Sequence, residues 1–376
     1  MTVEETMFTM ALTRLYGIGA APILELYRKV GNAKSIFEAK DDLKALVPDV
    51  SERMAAAVRM SGEAIEKAQI ELDFAVKHNI TCISYNDERY PQRLRECPDA
   101  PLMLYSKGNT DMNRRKIISI VGTRQNTQYG KDLVMRFMSS LREYLSDVLV
   151  VSGLAYGTDI CAHRAAMKYS YQTVGVLAHG LDTLYPASHR RDAEEMITSG
   201  GGLVTEYMSE TSADKPNFLA RNRIIAGMSD ATIIVESAFH GGSLVTASLA
   251  QGYNRDVFAF PGAVNAEFSQ GCNNLIRDNG AALITSAEDF IHAMKWDDEK
   301  VREEKKSHGI ERAFFQEFTP DEEAIVGILQ KENDMQINIL SVKSNIPINR
   351  LTAILFELEM KGTIKQLPGG VYHLFI

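Results

Sequence analysis

The chain has 376 residues, 45% of them hydrophobic, and a formal net charge of −8. That length exceeds one ordinary domain and provides for two or three with real cores, while the overall acidity argues against a general nucleic-acid binder. Cysteines 82, 97, 161 and 272 are scattered without a CxxC pair, and no stretch approaches 18 apolar residues. A zinc ribbon, a disulfide framework and a transmembrane helix are therefore not expected, and a reducing cytosol is. The N-terminus shows no basic segment followed by an apolar region, so no signal peptide is expected.

Residues 1–79 read as a small helical domain. Leu12 to Pro22 gives a helix, a tight turn at Gly17-Ile18-Gly19, and a second helix with Pro22 near its start. The turn is of the helix-hairpin-helix (or SAM-like) kind, which can contact DNA phosphate, but few basic residues flank it, and a packing module is the plainer reading. Ser35-Ile36-Phe37-Glu38 fits a helix cap with its reciprocal glutamate. Residues 63–79 form one more helix.

Residues 80–292 predict an α/β domain. Apolar runs at 117–121, 148–151, 174–177, 203–205, 231–235 and 256–260 alternate with helical stretches at 130–145, 158–168, 188–199, 217–228, 243–253 and 271–278. That alternation means βαβ units and a mostly parallel sheet with helices on both faces. Residues 293–317 read as a polar linker, dense in mixed charge from Glu299 to Lys306. Residues 318–376 predict three helices, starting at Thr319, Ser341 and Asn349, then a hairpin turning at Pro368-Gly369-Gly370. That is a winged-helix domain. It holds five Lys/Arg against seven Asp/Glu, so a protein contact or intramolecular packing suits it better than a phosphate backbone.

The strand ends carry the chemistry. Gly122-Thr123-Arg124 follows a strand directly; the glycine lets the backbone approach a ligand and Arg124 adds a fork of donors. It matches neither GxGxxG nor GxxxxGK[ST], so hydride transfer and ATP hydrolysis lose their usual support. Ser152 to Asp159 forms a second glycine loop. Asp159 and His163 lie four apart and so share a helix face, as an acid–base pair or as a cap and a packed histidine. Arg221-Asn222-Arg223 offers two guanidinium groups, one for a phosphate and one for an internal ion pair, with Glu206 or Glu236 as the partner. Lys215 and Phe218 add a cation and a stacking surface, the combination single-stranded nucleic acid uses. Gly241-Gly242-Ser243 opens another helix and makes a second anion pocket. Residues 113–230 carry 14 Lys/Arg and 12 Asp/Glu, a net of +2 on an otherwise acidic chain. A focused basic cleft fits that distribution.

Many short motifs in one order extend this reading. Tyr90-Pro91, Ile120-Val121-Gly122-Thr123-Arg124, Tyr129-Gly130 and Ser152-Gly153-Leu154-Ala155 come first. Gly157, Asp159, His163, Gly180-Leu181-Asp182, Tyr185-Pro186 and Arg221-Asn222-Arg223-Ile224-Ile225-Ala226-Gly227 follow. Gly242-Ser243, Pro261-Gly262, Gly271 and Asn274-Leu275-Ile276 complete them. Over roughly residues 85–290 the chain resembles the DNA-processing protein A family (DprA/Smf). The resemblance implies an extended Rossmann-like domain, preceded by a small helical domain and followed by a winged helix. It implies a non-enzymatic, cytoplasmic protein without cofactor or metal. Such a protein binds and protects single-stranded DNA in natural transformation, loads the RecA recombinase, forms homodimers and meets other competence proteins. It places the DNA pocket on Gly122, Thr123, Arg124, Lys215, Phe218, Arg221, Arg223, Gly242 and Ser243. Thr123 stands where the family often has serine, Gly241 where it often has the first serine of Ser-Gly-Ser, and Leu219 where it usually has proline. This last change implies a less restrained loop. The alternative is a nucleotide-processing or nucleotide-sensing protein, for which Glu206 and Glu236 would be the carboxylates.

Overall fold

The computed structural model describes residues 2–296, 318–367 and 369–375. A nine-stranded sheet organises the larger part. Its strands are β1 Thr81–Ser84, β2 Met103–Gly108, β3 Ile117–Val121, β4 Leu149–Ser152, β5 Thr173–Val176, β6 Gly202–Thr205, β7 Ala231–Ile234, β8 Asp256–Ala259 and β9 Ala282–Leu283. The order is β1-β2-β6-β5-β4-β3-β7-β8-β9. Seven strands, β3 to β9, run parallel, and β1 and β2 add an antiparallel edge beside β6.

The apolar runs become strands because both faces are covered. Ile117 and Val121 point into one core with Ile224, Ile225, Ala247 and Ala250, from helices Lys215–Met228 and Gly242–Gly252. Ile118 and Ile120 point into the other with Leu133, Phe137 and Ala162, from helices Gln128–Tyr144 and Thr158–Lys168. Alternate residues of one strand thus serve opposite cores. Three strands escape the sequence pattern for local reasons. β1 is only half buried, β2 ends in Ser106-Lys107-Gly108, and both residues of β9 are exposed.

The N-terminal helices pack into the same compact unit as the sheet. Their core, with Met10, Leu12, Leu24 and Ile36, reaches Met103 and Tyr105 of β2. Buried Glu71 accepts a hydrogen bond from the Ser209 backbone at 2.9 Å. The Gly17 carbonyl of the hairpin turn accepts from Arg53, so the turn is tied inward. The helix at Ala33–Glu38 is capped by Asn32, whose side chain accepts from Ser35 N; Ser35 lies inside the helix rather than at its cap. Asn32 wins because its side chain reaches the free N–H three residues on while its own backbone stays extended.

The last residues form a separate compact unit. Helices Pro320–Lys331, Ile337–Ser344 and Ile348–Met360 pack around Ile325, Leu340, Leu351 and Leu355, beside a small sheet of Met335–Gln336, Ile364–Leu367 and Val371–Leu374. Thr319 and Glu322 cap the first helix reciprocally. This is the expected winged helix. Most of the expected linker at 293–317, including its charged run, lies outside the described residues.

His163 reports on the core. Its Nδ1 donates to the Thr173 hydroxyl at 2.7 Å, which in turn donates to the Val150 carbonyl at 2.9 Å. Nε2 is buried without a partner among the described residues. Burial therefore holds the imidazole neutral, its pKa down at about 3 from 6.5. An unfolded chain takes up a proton below 6.5 that the native chain refuses, so this residue's stabilisation is complete above that pH and declines as pH falls toward 3. From about pH 6.5 to about pH 5, the unfolding free energy from urea titration should fall about 1–2 kcal/mol more for the wild type than for His163→Gln.

Candidate nucleic-acid interface

The strand order reverses at β3: its sequence successor β4 lies on one side and β7 on the other. Loops leaving the carboxyl ends of β3 and β7 therefore diverge and open a crevice, the usual ligand position in such sheets. Here it is a cleft of about 560 Å³ lined by Gly122, Thr123, Arg124, Tyr156, Asp159, Tyr185, Asp214, Lys215, Phe218, Arg221, Asn222, Gly242 and Ser243, among others. Eight of the nine sequence-predicted site residues meet there. The ninth, Arg223, does not line the cleft: its guanidinium pairs with Glu206, both largely buried.

Close backbone packing sets the floor. Thr123 N donates to the Glu236 carbonyl at 2.8 Å, and Thr158 N donates to the Thr123 carbonyl at 3.1 Å. A Cβ on Gly122 would lie 2.5 Å from Thr158 Oγ1, so only glycine fits. Gly157, at φ +80°, passes so close that a Cβ would meet the Thr123 carbonyl oxygen at 2.3 Å. The helix Gln128–Tyr144 begins at Thr127, whose N–H and hydroxyl both donate to the Glu236 carboxylate, at 2.8 and 2.7 Å.

The polar lining divides into buried and open groups. Arg221 is 3% exposed, and its Nη1 donates to the Gly153 and Val176 carbonyls at 2.6 and 2.5 Å. Its charge faces buried Asp159, and both side chains crowd Gly153. Burial raises the Asp159 carboxyl and lowers the Arg221 guanidinium, and their mutual attraction opposes each shift. Asp159 accepts from Ala155 N at 3.4 Å and does not pair with His163, which turns to Thr173. The acid–base reading of these two residues ends there; Gly157 occupies the helix cap.

Arg124 and Lys215, by contrast, are exposed and make no ion pair among the described residues. Arg124 lies over the Phe218 ring, 5.0 Å from its centroid. Lys215 and Phe218 belong to a helix that Asp214 caps at Asn217 N. Leu219 sits in that helix, so its departure from proline falls on helical backbone and loosens no loop. Opposite, the helix Gly242–Gly252 has no side-chain cap. Ser243 is 5% exposed and its Oγ has no hydrogen-bond partner among the described residues. Free N–H groups and an unused hydroxyl at a helix N-terminus suit an anion. The sequence pattern did not single out Tyr156, Tyr185 or Asn222 for the site. Tyr156 lies within the second glycine loop and Tyr185 in the Tyr-Pro motif, which is the signal that points to them.

The family model for DNA recombination-mediator protein A matches residues 81–295, and that for the DprA winged helix domain matches residues 316–370. The chain belongs to the DprA/Smf family. Protein Smf of Escherichia coli is 30% identical over 337 residues, covering 85% of this chain and 87% of that one. DNA processing protein DprA of Streptococcus pneumoniae is 35% identical over 227 residues, 60% of this chain and 78% of its own. Its X-ray structure superposes with a TM-score of 0.56 at 30% identity, covering 73% of this chain and 97% of that one. A Helicobacter pylori DprA structure, described for its single-stranded DNA binding mode, gives 0.52 at 29% identity over 58% of this chain and 96% of its own.

In this family member the two carboxylates of an enzymatic alternative are committed to structure. Glu206 holds Arg223, and Glu236 holds Thr127. Among the described residues no group of three His, Cys, Asp or Glu is placed to hold a metal, and no helix is long and apolar enough to cross a membrane.

The two cleft arginines should respond differently to truncation. Arg221→Ala strands Asp159 as an uncompensated buried charge and should cost about 3–5 kcal/mol. Arg124→Ala removes an exposed side chain and should stay within about 0.5 kcal/mol. Chemical denaturation of the two variants measures the contrast.

Proposed function

We propose that this protein binds and protects single-stranded DNA in the cleft at the carboxyl ends of β3 and β7, and loads the RecA recombinase onto it. The observation that carries the reading is the pairing of two free cations, Arg124 and Lys215, with the uncapped helix N-terminus at Gly242 and its unused Ser243 hydroxyl. Cations and N–H donors on one lining neutralise successive phosphates. Gly122 and Thr123 let the strand lie against backbone, and Phe218 holds Arg124 in place. Arg221, paired with Asp159 beneath the floor, fixes the seat of the helix that carries Lys215 and Phe218, and Arg223, through Glu206, steadies the same helix.

The test is binding of a fluorescent oligo-dT to the full-length protein across a salt series. Affinity should fall steeply with salt. Arg124→Ala and Lys215→Ala should each lower affinity and reduce the log–log salt slope by about 0.7 for every phosphate left without its cation. Absence of binding at low salt would overturn the reading.

Family membership supports the remaining roles: RecA as partner, a homodimer, association with other competence proteins, and a cytoplasmic place of work in natural transformation. A dimer would set two clefts on one strand and raise avidity. The winged unit serves protein contact in this scheme. Its third helix exposes Ile348, Phe356 and Met360 and carries Glu357 and Glu359, a face that phosphate avoids. On oligonucleotide coated with single-strand binding protein, wild-type protein should raise the rate of RecA filament formation, read as DNA-dependent ATP hydrolysis, and Arg124→Ala should raise it less.

A further inference from the structure

We infer that Glu71, in the N-terminal helical domain, is a positioning residue for the cleft: it anchors the segment 206–214 and, through that segment, sets where Lys215 stands. The inference deepens the single-stranded DNA reading and rests on it.

Glu71 belongs to the helix Gly62–Lys77, whose buried residues are Ala64, Ala68, Glu71 and Ala75. That spacing is one helix stripe, so Glu71 occupies the middle of the packed face. A carboxylate among alanines is costly to bury, and burial pushes this one up from the usual carboxylate range. Both donors that oppose the shift come from Ser209. Its N–H, at 2.9 Å, and its hydroxyl meet the same oxygen, Oε2. The hydrogen bonds of this buried charge therefore leave its own helix and hold a loop of the α/β domain.

Ser209 lies midway between the end of β6 and the helix Lys215–Met228, whose first residue is Lys215. Ala213 and Asp214, from the same segment, line the cleft beside Lys215. The chain is fixed on both sides of Ser209. Met208 is buried in the core of the N-terminal helices, and the Thr211 carbonyl accepts from Gly180 N at 3.0 Å. Between these points Glu210 has φ +63°, a left-handed conformation that a non-glycine residue keeps only where its neighbours enforce it. A Cβ on Gly180 would lie 2.4 Å from the Met208 carbonyl oxygen, so the two loops meet backbone to backbone. Further on, Asn217 Nδ2 donates to the Ser212 carbonyl at 3.2 Å and Asp214 caps Asn217 N, which ties the segment to the first helical turn. An unbroken series of contacts thus runs from Glu71 to the exposed cation. Arg124 stands outside it, on the loop that Glu236 holds.

The experiment is a double-mutant cycle on affinity for fluorescent oligo-dT, using the full-length protein with Glu71→Ala, Lys215→Ala and both together. A second cycle replaces Lys215→Ala with Arg124→Ala. Glu71→Ala alone should lower affinity about 2- to 30-fold, the range for residues that act on a site without touching its ligand. The loss should vanish in the Lys215→Ala background and persist in the Arg124→Ala background. Glu71→Gln should bind as the wild type does, because its amide oxygen can take both Ser209 donors. Should Glu71→Ala fail to fold, Ser209→Ala, which removes one donor of the two, carries the same cycles at smaller amplitude. Unchanged affinity in the folded variant, or an equal loss in both backgrounds, would overturn the inference while leaving DNA binding intact. Failure of wild type to bind the oligonucleotide at low salt would instead overturn the DNA reading, and the inference with it.

Discussion

Glu236, at the end of β7, is the residue on which the geometry of the cleft depends. Its backbone carbonyl receives Thr123 N, and its buried carboxylate receives the N–H and hydroxyl of Thr127. One residue thus fixes both ends of the loop that carries Arg124, and a carboxylate at a helix N-terminus is favoured by the helix dipole as well. The cost is space. A Cβ on Gly130 would lie 2.2 Å from Glu236 Oε2, and one on Gly122 would lie 2.9 Å from the Glu236 carbonyl oxygen. The glycines of this region therefore serve a packing need before any ligand arrives. They hold two loops, from strands distant in sequence, at the separation a backbone of phosphates can use.

A second constraint lies below. Arg221 and Asp159 share a site with almost no solvent, where either charge alone would be expensive. The guanidinium satisfies two carbonyls, and Asp159 draws on the Ala155 N–H. A pair so placed contributes definition rather than large stability: it fixes how the helix Lys215–Met228 meets the ends of β4 and β5. Lys215 and Phe218 project from the first turn of that helix, so their positions inherit the registration of a buried pair one and two turns on.

Much of this was legible in the sequence because parallel strands buried on both faces are continuous apolar runs. Ile117–Val121 and Ala231–Ile234 could hardly be anything else. The glycine turns after them marked the edge where the cleft opens, and eight of the nine expected site residues line it. Arg223 was harder, since residues two apart on a helix point in different directions and spacing alone does not tell which arginine faces the ligand. Even Arg221 reaches the cleft from beneath, as a buried group. Strands β1, β2 and β9 lack a pattern because their stability comes from tertiary pairing with β2, β6 and β8 rather than from their own composition. Tyr156 and Tyr185 lie in motifs the sequence does show, but that their rings line the cleft is a property of the folded loops.

Net charge was the most misleading quantity, and the reason is pairing. Within the stretch of slight positive excess, Arg114 is matched to Asp147, Arg164 to Asp192 and Arg223 to Glu206. A formal count weighs these equally with Arg124 and Lys215, yet a phosphate meets them as neutral pairs. The field of the cleft comes from the few cations left free, concentrated by low-dielectric walls. The winged unit shows the converse. Lys343, Arg350 and Lys361 are paired with Glu332, Asp321 and Glu322, and its third helix adds Glu357 and Glu359 between exposed apolar side chains. The Lys343–Glu332 and Arg350–Asp321 pairs are solvent-accessible and therefore weak, about 0–1 kcal/mol, so a phosphate could break one. It would then face the released carboxylate at short range, and the net attraction would vanish. Overall acidity therefore does not bar a cleft that attracts phosphate, and paired cations beside Glu357 and Glu359 leave the winged unit with little attraction for one.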